Sequence, residues 1–233
     1  MAPRIRRLLP RLLMVIAVTV SVLVLSFAQG SAAPGLRNAT VLIIRHAEKP
    51  DVGRELNARG EQRAAAYADY FDPLKLNGQT LIPQRLIATA DSAQSIRPRQ
   101  TLIPLSQRLQ LPIEQPFANN DVDKLVNQLR ASNQANTVLI AWHHGHINKL
   151  IAAFGGNGPA LIGQPKWPVD VYDWLIVLRF DDKGQLIESR SEKVQEQLMP
   201  GDLAASPGSC RGCAVLSAPA PPPCPLPCAG QGH

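Results

Sequence analysis

The chain has 233 residues, 24 Lys and Arg against 18 Asp and Glu, and a hydrophobic fraction of 45%. That length holds one compact α/β domain with tails and is too short for two full-sized catalytic domains. Four of the basic residues (Arg4, Arg6, Arg7, Arg11) lie before Ala33 with no acidic residue among them, so the rest of the chain has 20 basic and 18 acidic residues, a net +2. So small an excess, without a basic stripe interleaved with aromatics, argues against nucleic acid as a partner and makes any attraction for anions a local matter.

The N-terminal arginines are followed by an uncharged run over residues 12–28 and then by the small residues Gly30, Ser31, Ala32 and Ala33. This is the order of a secretory signal peptide over residues 1–33, cleaved after Ala33, and it predicts an exported protein, periplasmic or secreted. The run also reaches the lower length limit of a spanning helix, so an uncleaved anchor over residues 12–28, the only membrane contact in that case, is the alternative. The folded domain is expected over residues 34–206.

Residues 40–44 form a continuous apolar strand. Residues 57–71 have helical spacing, with Asn57 as N-cap and Ala64, Ala65, Ala68 and Phe71 on the inward stripe. A second strand is expected at 85–89, then a helical stretch over 95–109 punctuated by Pro98 and Pro104. A third strand near 111–117 precedes an amphipathic helix over 122–131 with Leu125, Val126 and Leu129 inward. Residues 137–142 read as another buried strand, followed by a helix over 147–154. A last strand over 171–180 turns at Asp181, Asp182, Lys183 and Gly184 into a partner over 185–190. Apolar strands alternating with helices predict a three-layer α/β fold: a mostly parallel sheet, helices on both faces and an antiparallel hairpin at the edge.

From residue 207 the chain is dense in Pro and holds all four cysteines, Cys210, Cys213, Cys224 and Cys228. Such composition cannot build a packed core, so a disordered tail over 207–233 is expected. Export favours local disulfides among these cysteines; a zinc site assisted by His233 is the alternative.

In a parallel sheet, ligands gather outside the carboxyl ends of the strands. The first strand runs into Arg45-His46, the second into the loop before Arg97, and the 137–142 strand into His143-His144-Gly145-His146. Four of the five histidines therefore sit at two strand ends. Taken singly, Arg45-His46 could be a polar strand cap, Arg97 and Arg99 a solvated helix face, and His143 and His144 one inward and one outward imidazole on a strand. Their convergence on one end of one sheet favours a common site.

The residue types suit a phosphoryl group. A neutral imidazole can attack phosphorus in line and divide hydrolysis into two displacements. Arginine forks bind the equatorial oxygens and keep their charge. His46 is thus the candidate nucleophile, Arg45 and Arg97 the phosphate clamp, and His144, when protonated, a further donor. No metal or other cofactor is required by this chemistry.

The run Ile44-Arg45-His46-Ala47-Glu48-Lys49-Pro50, followed by Glu55-Leu56-Asn57-Ala58-Arg59-Gly60-Glu61-Gln62-Arg63-Ala64, resembles the histidine phosphatase superfamily, the phosphoglycerate-mutase-like fold. Ser95-Ile96-Arg97-Pro98-Arg99-Gln100-Thr101 is similar to that family's second phosphate-arginine segment and assigns the role to Arg97 rather than Arg99. Val138 through Gly145 is similar to its strand ending in His-Gly and assigns the catalytic place to His144 rather than His143. The resemblance covers about residues 40–180. It implies a phosphohistidine at His46, an oxyanion clamp from Arg45, Arg97 and His144, and a carboxylic acid that protonates the leaving group. Asn57 stands where the family has Thr or Ser, and Pro98 where it has Ala. The acid has no unmistakable counterpart; Asp91, Glu114, Asp121, Asp170 and Glu48 are candidates, and Asp91 is preferred because it lies between a strand end and Arg97.

The expected activity is hydrolysis of a phosphomonoester, small molecule or phosphoprotein, with Lys166 and Trp167 on a pocket rim over 163–170. Two other readings compete: a non-catalytic phosphate-binding protein of the same fold, and an exported metal-binding protein using His143, His144 and His146.

Overall fold

The computed structural model describes residues 35–132 and 135–202. The expected signal peptide, the whole of the cysteine-bearing tail over 207–233 and the zinc alternative fall outside the described residues.

The apolar runs become strands where expected. β1 (Thr40–Arg45), β4 (Arg85–Ala88) and β6 (Thr137–Trp142) are almost wholly buried, and with β5 (Ile113–Glu114) they form the parallel part of a six-stranded sheet. β7 (Trp174–Arg179) and β8 (Glu192–Gln195) complete it as antiparallel strands, giving the order β5-β4-β6-β1-β7-β8. β2 (Leu74–Leu76) and β3 (Gln79–Leu81) form a separate small hairpin that the periodicity did not reveal, because each is three residues long.

Alternate residues of the central strands face opposite layers. Val41, Ile43, Val138, Ile140, Ile176 and Leu178 pack with α3 (Val122–Ala131), α4 (His144–Ala153) and α5 (Gly158–Ile162). Leu42, Ile44, Leu139, Ala141, Leu175 and Val177 pack instead with α1 (Ala58–Tyr70) and α2 (Arg97–Leu109). The three-layer, mostly parallel architecture with antiparallel strands at one edge is therefore the observed one.

Three expectations are corrected. The inward stripe of α1 is Gly60, Arg63, Ala64 and Tyr67, while Ala65 is exposed, because an arginine with two carboxylate partners is buried in preference to alanine. The partner of β7 is β8, not residues 185–190; only a single bridge joins Phe180 to Leu186, and a 3-10 turn at Glu188–Arg190 delays the pairing. α4 starts at His144, three residues before the expected helix, so His144 and His146 are helical.

The antiparallel sense of β7 matters for the site. Ile44 pairs with Leu175, so the start of β7 lies beside the end of β1, and the preceding segment, 163–173, is delivered to the same edge as Arg45 and His46.

Candidate active site

His46 follows directly on β1 and is 2% exposed. Its backbone N–H donates to Trp142 O (3.0 Å), which continues the ladder to β6. Its Nδ1 lies 2.7 Å from Ala47 O. A carbonyl only accepts, so the proton is on Nδ1 and the lone pair on Nε2. Burial, with the charges of Arg45 and Arg97 adding to it, pushes the imidazole pKa down to about 2 and keeps the ring neutral.

Arg45 is fully buried. One terminal nitrogen, Nη1, donates to Val171 O (2.7 Å), Val169 O (2.9 Å) and Pro168 O (3.2 Å); the other, Nη2, lies 3.3 Å from His144 Nδ1. Its Cζ sits 3.8 Å from the centre of the Tyr172 ring. Burial lowers its pKa to about 10, which leaves it charged at neutrality. Because arginine can only donate, His144 Nδ1 accepts and His144 carries its proton on Nε2. Burial and Arg45 lower the His144 pKa to about 4. His144 is therefore a donor as a neutral ring, and the protonated form expected from the sequence is not needed.

Arg97 opens α2 and donates through Nη1 to Gly53 O (3.0 Å). Its charge acts on both His46 and His143. The Nε of Arg45 and the Nε of Arg97 are both buried without a hydrogen-bond partner among the described residues. Arg45 ends β1 and Arg97 opens α2, and the charges of both act on His46.

His143, set aside in favour of His144 by the sequence, also reaches the site: its ring stands edge-on to His46 with centroids 5.2 Å apart. The strand ends at Trp142, so His143 is the N-cap of α4 and His144 its first residue, and the alternation that would turn them apart no longer applies. Burial and Arg97 lower the His143 pKa to about 4. His146 lies instead against Asn119 Nδ2, 2.9 Å from its Nδ1. Among the described residues, no three His, Cys, Asp or Glu side chains are grouped to hold a metal ion.

Asp91, the preferred acid, is engaged elsewhere: Oδ2 accepts from Arg99 Nε and Oδ1 from Gln115 Nε2, both at 2.9 Å. Glu114 is paired with Arg85, and Asp121 with Lys124. Glu48 is taken by Arg63 (Nη2 to Oε1, 2.8 Å) and Arg59. Of the five candidates, Asp170 alone has no ion pair among the described residues, and its charge acts on Arg45.

Trp167 is not a rim residue. It is 3% exposed, stacks on Trp174 at 5.2 Å and donates from Nε1 to Val171 O (2.9 Å), which fixes the carbonyls that receive Arg45. Lys166 remains exposed.

Several supporting residues escaped the sequence reading. Thr101 Oγ1 accepts from Ala47 N (2.9 Å) and donates to Arg97 O (2.8 Å), tying the nucleophile's loop to the second arginine. Gln100 Oε1 accepts from Leu56 N (3.0 Å). Arg63 bridges Glu48 to Asp202, with Nη2 2.6 Å from Asp202 Oδ1. A Cβ on Gly60 would lie 2.3 Å from Glu48 O, so only glycine lets α1 approach this loop so closely. Gly60, Arg63, Gln100 and Thr101 all stand in the quoted motif blocks, which was the available signal; Asp202 had none.

No family model matches the chain, and no curated protein matches it. Solved structures do. The protein histidine phosphatase SixA complexed with tungstate is 19% identical over 67% of this chain and 97% of its own, with a TM-score of 0.47. A mycobacterial glucosyl-3-phosphoglycerate phosphatase is 17% identical over 68% and 97%, with a TM-score of 0.44. Phosphoserine phosphatase from Entamoeba histolytica is 12% identical over 68% and 98%, with a TM-score of 0.45. The chain is similar to these three solved phosphatases.

Proposed function

We propose that this chain is an exported phosphatase that hydrolyses a phosphomonoester through a phosphohistidine on His46. The observation that carries the reading is the His46 tautomer: Nδ1–H is committed to Ala47 O, and the free lone pair on Nε2 belongs to a ring that burial keeps neutral. Nε2 attacks phosphorus, the P–O bond to the alcohol breaks, and the alcohol leaves with one proton. Water then attacks phosphorus and gives a proton back to the group that protonated the alcohol, the P–N bond breaks, and phosphate and the neutral imidazole are released. The orphan Nε donors of Arg45 and Arg97, with His144 Nε2–H, would hold the phosphoryl oxygens as charge redistributes over them. Asp170 would supply the leaving-group proton, being the one candidate carboxylate with no ion pair among the described residues. Export rests on the N-terminal signal over residues 1–33 and is tested by N-terminal sequencing of the mature protein, which should begin at Pro34.

The test is hydrolysis of an aryl phosphate by the full chain and by His46→Ala, with chelator present. Chelator-resistant turnover that disappears in the variant is expected, together with phosphate trapped on His46 in acid-labile, alkali-stable form. A phosphate-binding module would show no turnover, and a metal-dependent protein would lose it to the chelator. Asp170→Asn should slow alkyl phosphates far more than aryl phosphates, whose leaving groups need no proton.

A further inference from the structure

The Arg45 guanidinium is held along its edges. Nη1 meets the carbonyls of Val171, Val169 and Pro168, and Nη2 meets His144 Nδ1. Hydrogen bonds at the edges of a planar group fix its rotation within the plane and resist tilting of the plane much less. Tilt matters here, because the nitrogen left without a partner among the described residues, Nε, is the donor that the proposed phosphoryl group would meet.

The Tyr172 ring supplies a restraint of the other kind. Arg45 Cζ lies over its face, 3.8 Å from the centroid, well inside the range of a cation–π contact. The same ring borders the proposed nucleophile, with centroids 6.4 Å apart and the planes of Tyr172 and His46 inclined at 60°. The ionisations of Arg45 and Arg97 both respond to the Tyr172 phenol, which puts it within range of both clamp residues. Its neighbours hold it there. Val171 and Asp173 are buried on either side of it, and the Val171 carbonyl receives both Arg45 Nη1 and Trp167 Nε1. The main chain beside the ring is thereby pinned to the guanidinium that the ring covers.

We infer that Tyr172 is a positioning residue of the phosphate site, its ring covering the Arg45 guanidinium and holding it at the tilt that aims Nε–H at a phosphoryl oxygen. This rests on the phosphatase reading above, in which Arg45 is a phosphate ligand. The ring face carries the effect and the hydroxyl does not, so a phenyl ring suffices and a branched aliphatic chain fails.

The experiment compares the full wild-type chain with Tyr172→Leu, Tyr172→Phe and ring-fluorinated forms of Tyr172→Phe, in which fluorine withdraws charge from the ring face and leaves its shape nearly intact. An aryl phosphate is the substrate, because its leaving group needs no proton and Asp170 then has no part in the rate. Tyr172→Leu should lower kcat/KM and weaken inhibition by inorganic phosphate, each by about tenfold, whereas Tyr172→Phe should stay within about twofold of wild type in both. Successive fluorines should bring the Tyr172→Phe form towards the Tyr172→Leu result. A structural role alone would lower stability in denaturant unfolding and leave inhibition by phosphate unmoved, and that outcome overturns the inference. Equal losses in Tyr172→Leu and Tyr172→Phe overturn it too, by giving the role to the hydroxyl, as does a fluorinated series that shows no decline. That series decides the matter should Tyr172→Leu fail to fold. If aryl phosphate is not hydrolysed, the phosphatase reading fails, and calorimetric affinity for inorganic phosphate across the same variants still tests the positioning of Arg45: a loss that follows the ring face upholds it, and unchanged or absent binding sinks it.

Discussion

Two segments meet at Arg45, and they hold the site by different means. The one after β1, residues 46–56, works through side chains and a glycine: His46 as the proposed nucleophile, Glu48 as the anchor for Arg63, and the Gly60 contact that lets α1 lie against it. The one before β7, residues 163–173, works mainly through main-chain oxygens: the carbonyls of Pro168, Val169 and Val171 take Arg45, and Trp167 fixes the last of them. The first is written in residue identity. In the second any residue offers the same carbonyl, and only the path of the chain puts it in place. The lesson is that a guanidinium clamp of recognisable sequence can be aimed by a segment with no recognisable sequence at all.

The largest expected effect tests the first segment. His46→Ala should reduce phosphomonoester turnover by about a thousandfold or more, measured in steady state, because it removes the imidazole proposed to accept the phosphoryl group. Next comes the link between the segment and Asp202. Arg63→Ala would remove the buried guanidinium shared by Glu48 and Asp202 and leave them only the part-exposed Arg59, and a loss of about 3–5 kcal/mol is expected in denaturant unfolding. Gly60→Ala should cost about 1–3 kcal/mol, since its Cβ meets a main-chain oxygen that cannot step aside without moving Glu48.

A pH series sharpens the comparison further. Burial raises Glu196, which accepts a hydrogen bond from Tyr67 Oη (2.8 Å), to a pKa of about 8. The unfolded chain releases that proton near pH 4.5, whereas the folded chain holds it until about pH 8, so this group makes stability fall as pH rises between those values. Glu196→Gln should flatten the fall in thermal melts. The imidazoles act in the opposite sense. His46, His143 and His144 resist protonation in the fold, so the unfolded chain binds protons first below about pH 6.5 and stability declines as pH drops further. The smallest effect is expected at Asp91. Its pair with Arg99 is part-exposed, so Asp91→Asn should cost about 1 kcal/mol or less and leave turnover of alkyl phosphates near that of the wild type.

The apolar strands, the Asn57 cap and the boundaries of α3 were legible in the sequence because each is dictated by local pattern: unbroken burial, a side chain that accepts from Gly60 N, and a clear 3.6-residue period. The Arg45-His46 and Arg97 blocks were legible because their chemistry requires those residue types. The sequence failed where the deciding partner lies far along the chain. Arg63 looks like a surface residue until Asp202 is folded onto it, and Asp91 looks free until Arg99 and Gln115 arrive. His143 and His144 look like opposite-facing strand residues until α4 begins at His144 with His143 as its N-cap.

By itself, then, the sequence determined which strands are buried, which strand ends bear imidazole and guanidinium, and that these chemistries belong together. Tertiary structure alone decided the hydrogen bond that directs the His46 proton to Nδ1, the Arg45 and Arg97 Nε groups left without a partner among the described residues, and Asp170 as the candidate carboxylate with no ion pair there. The physical reason is that residue type fixes what a group can do, whereas burial and long-range partners fix which of its proton states and lone pairs are left to do it.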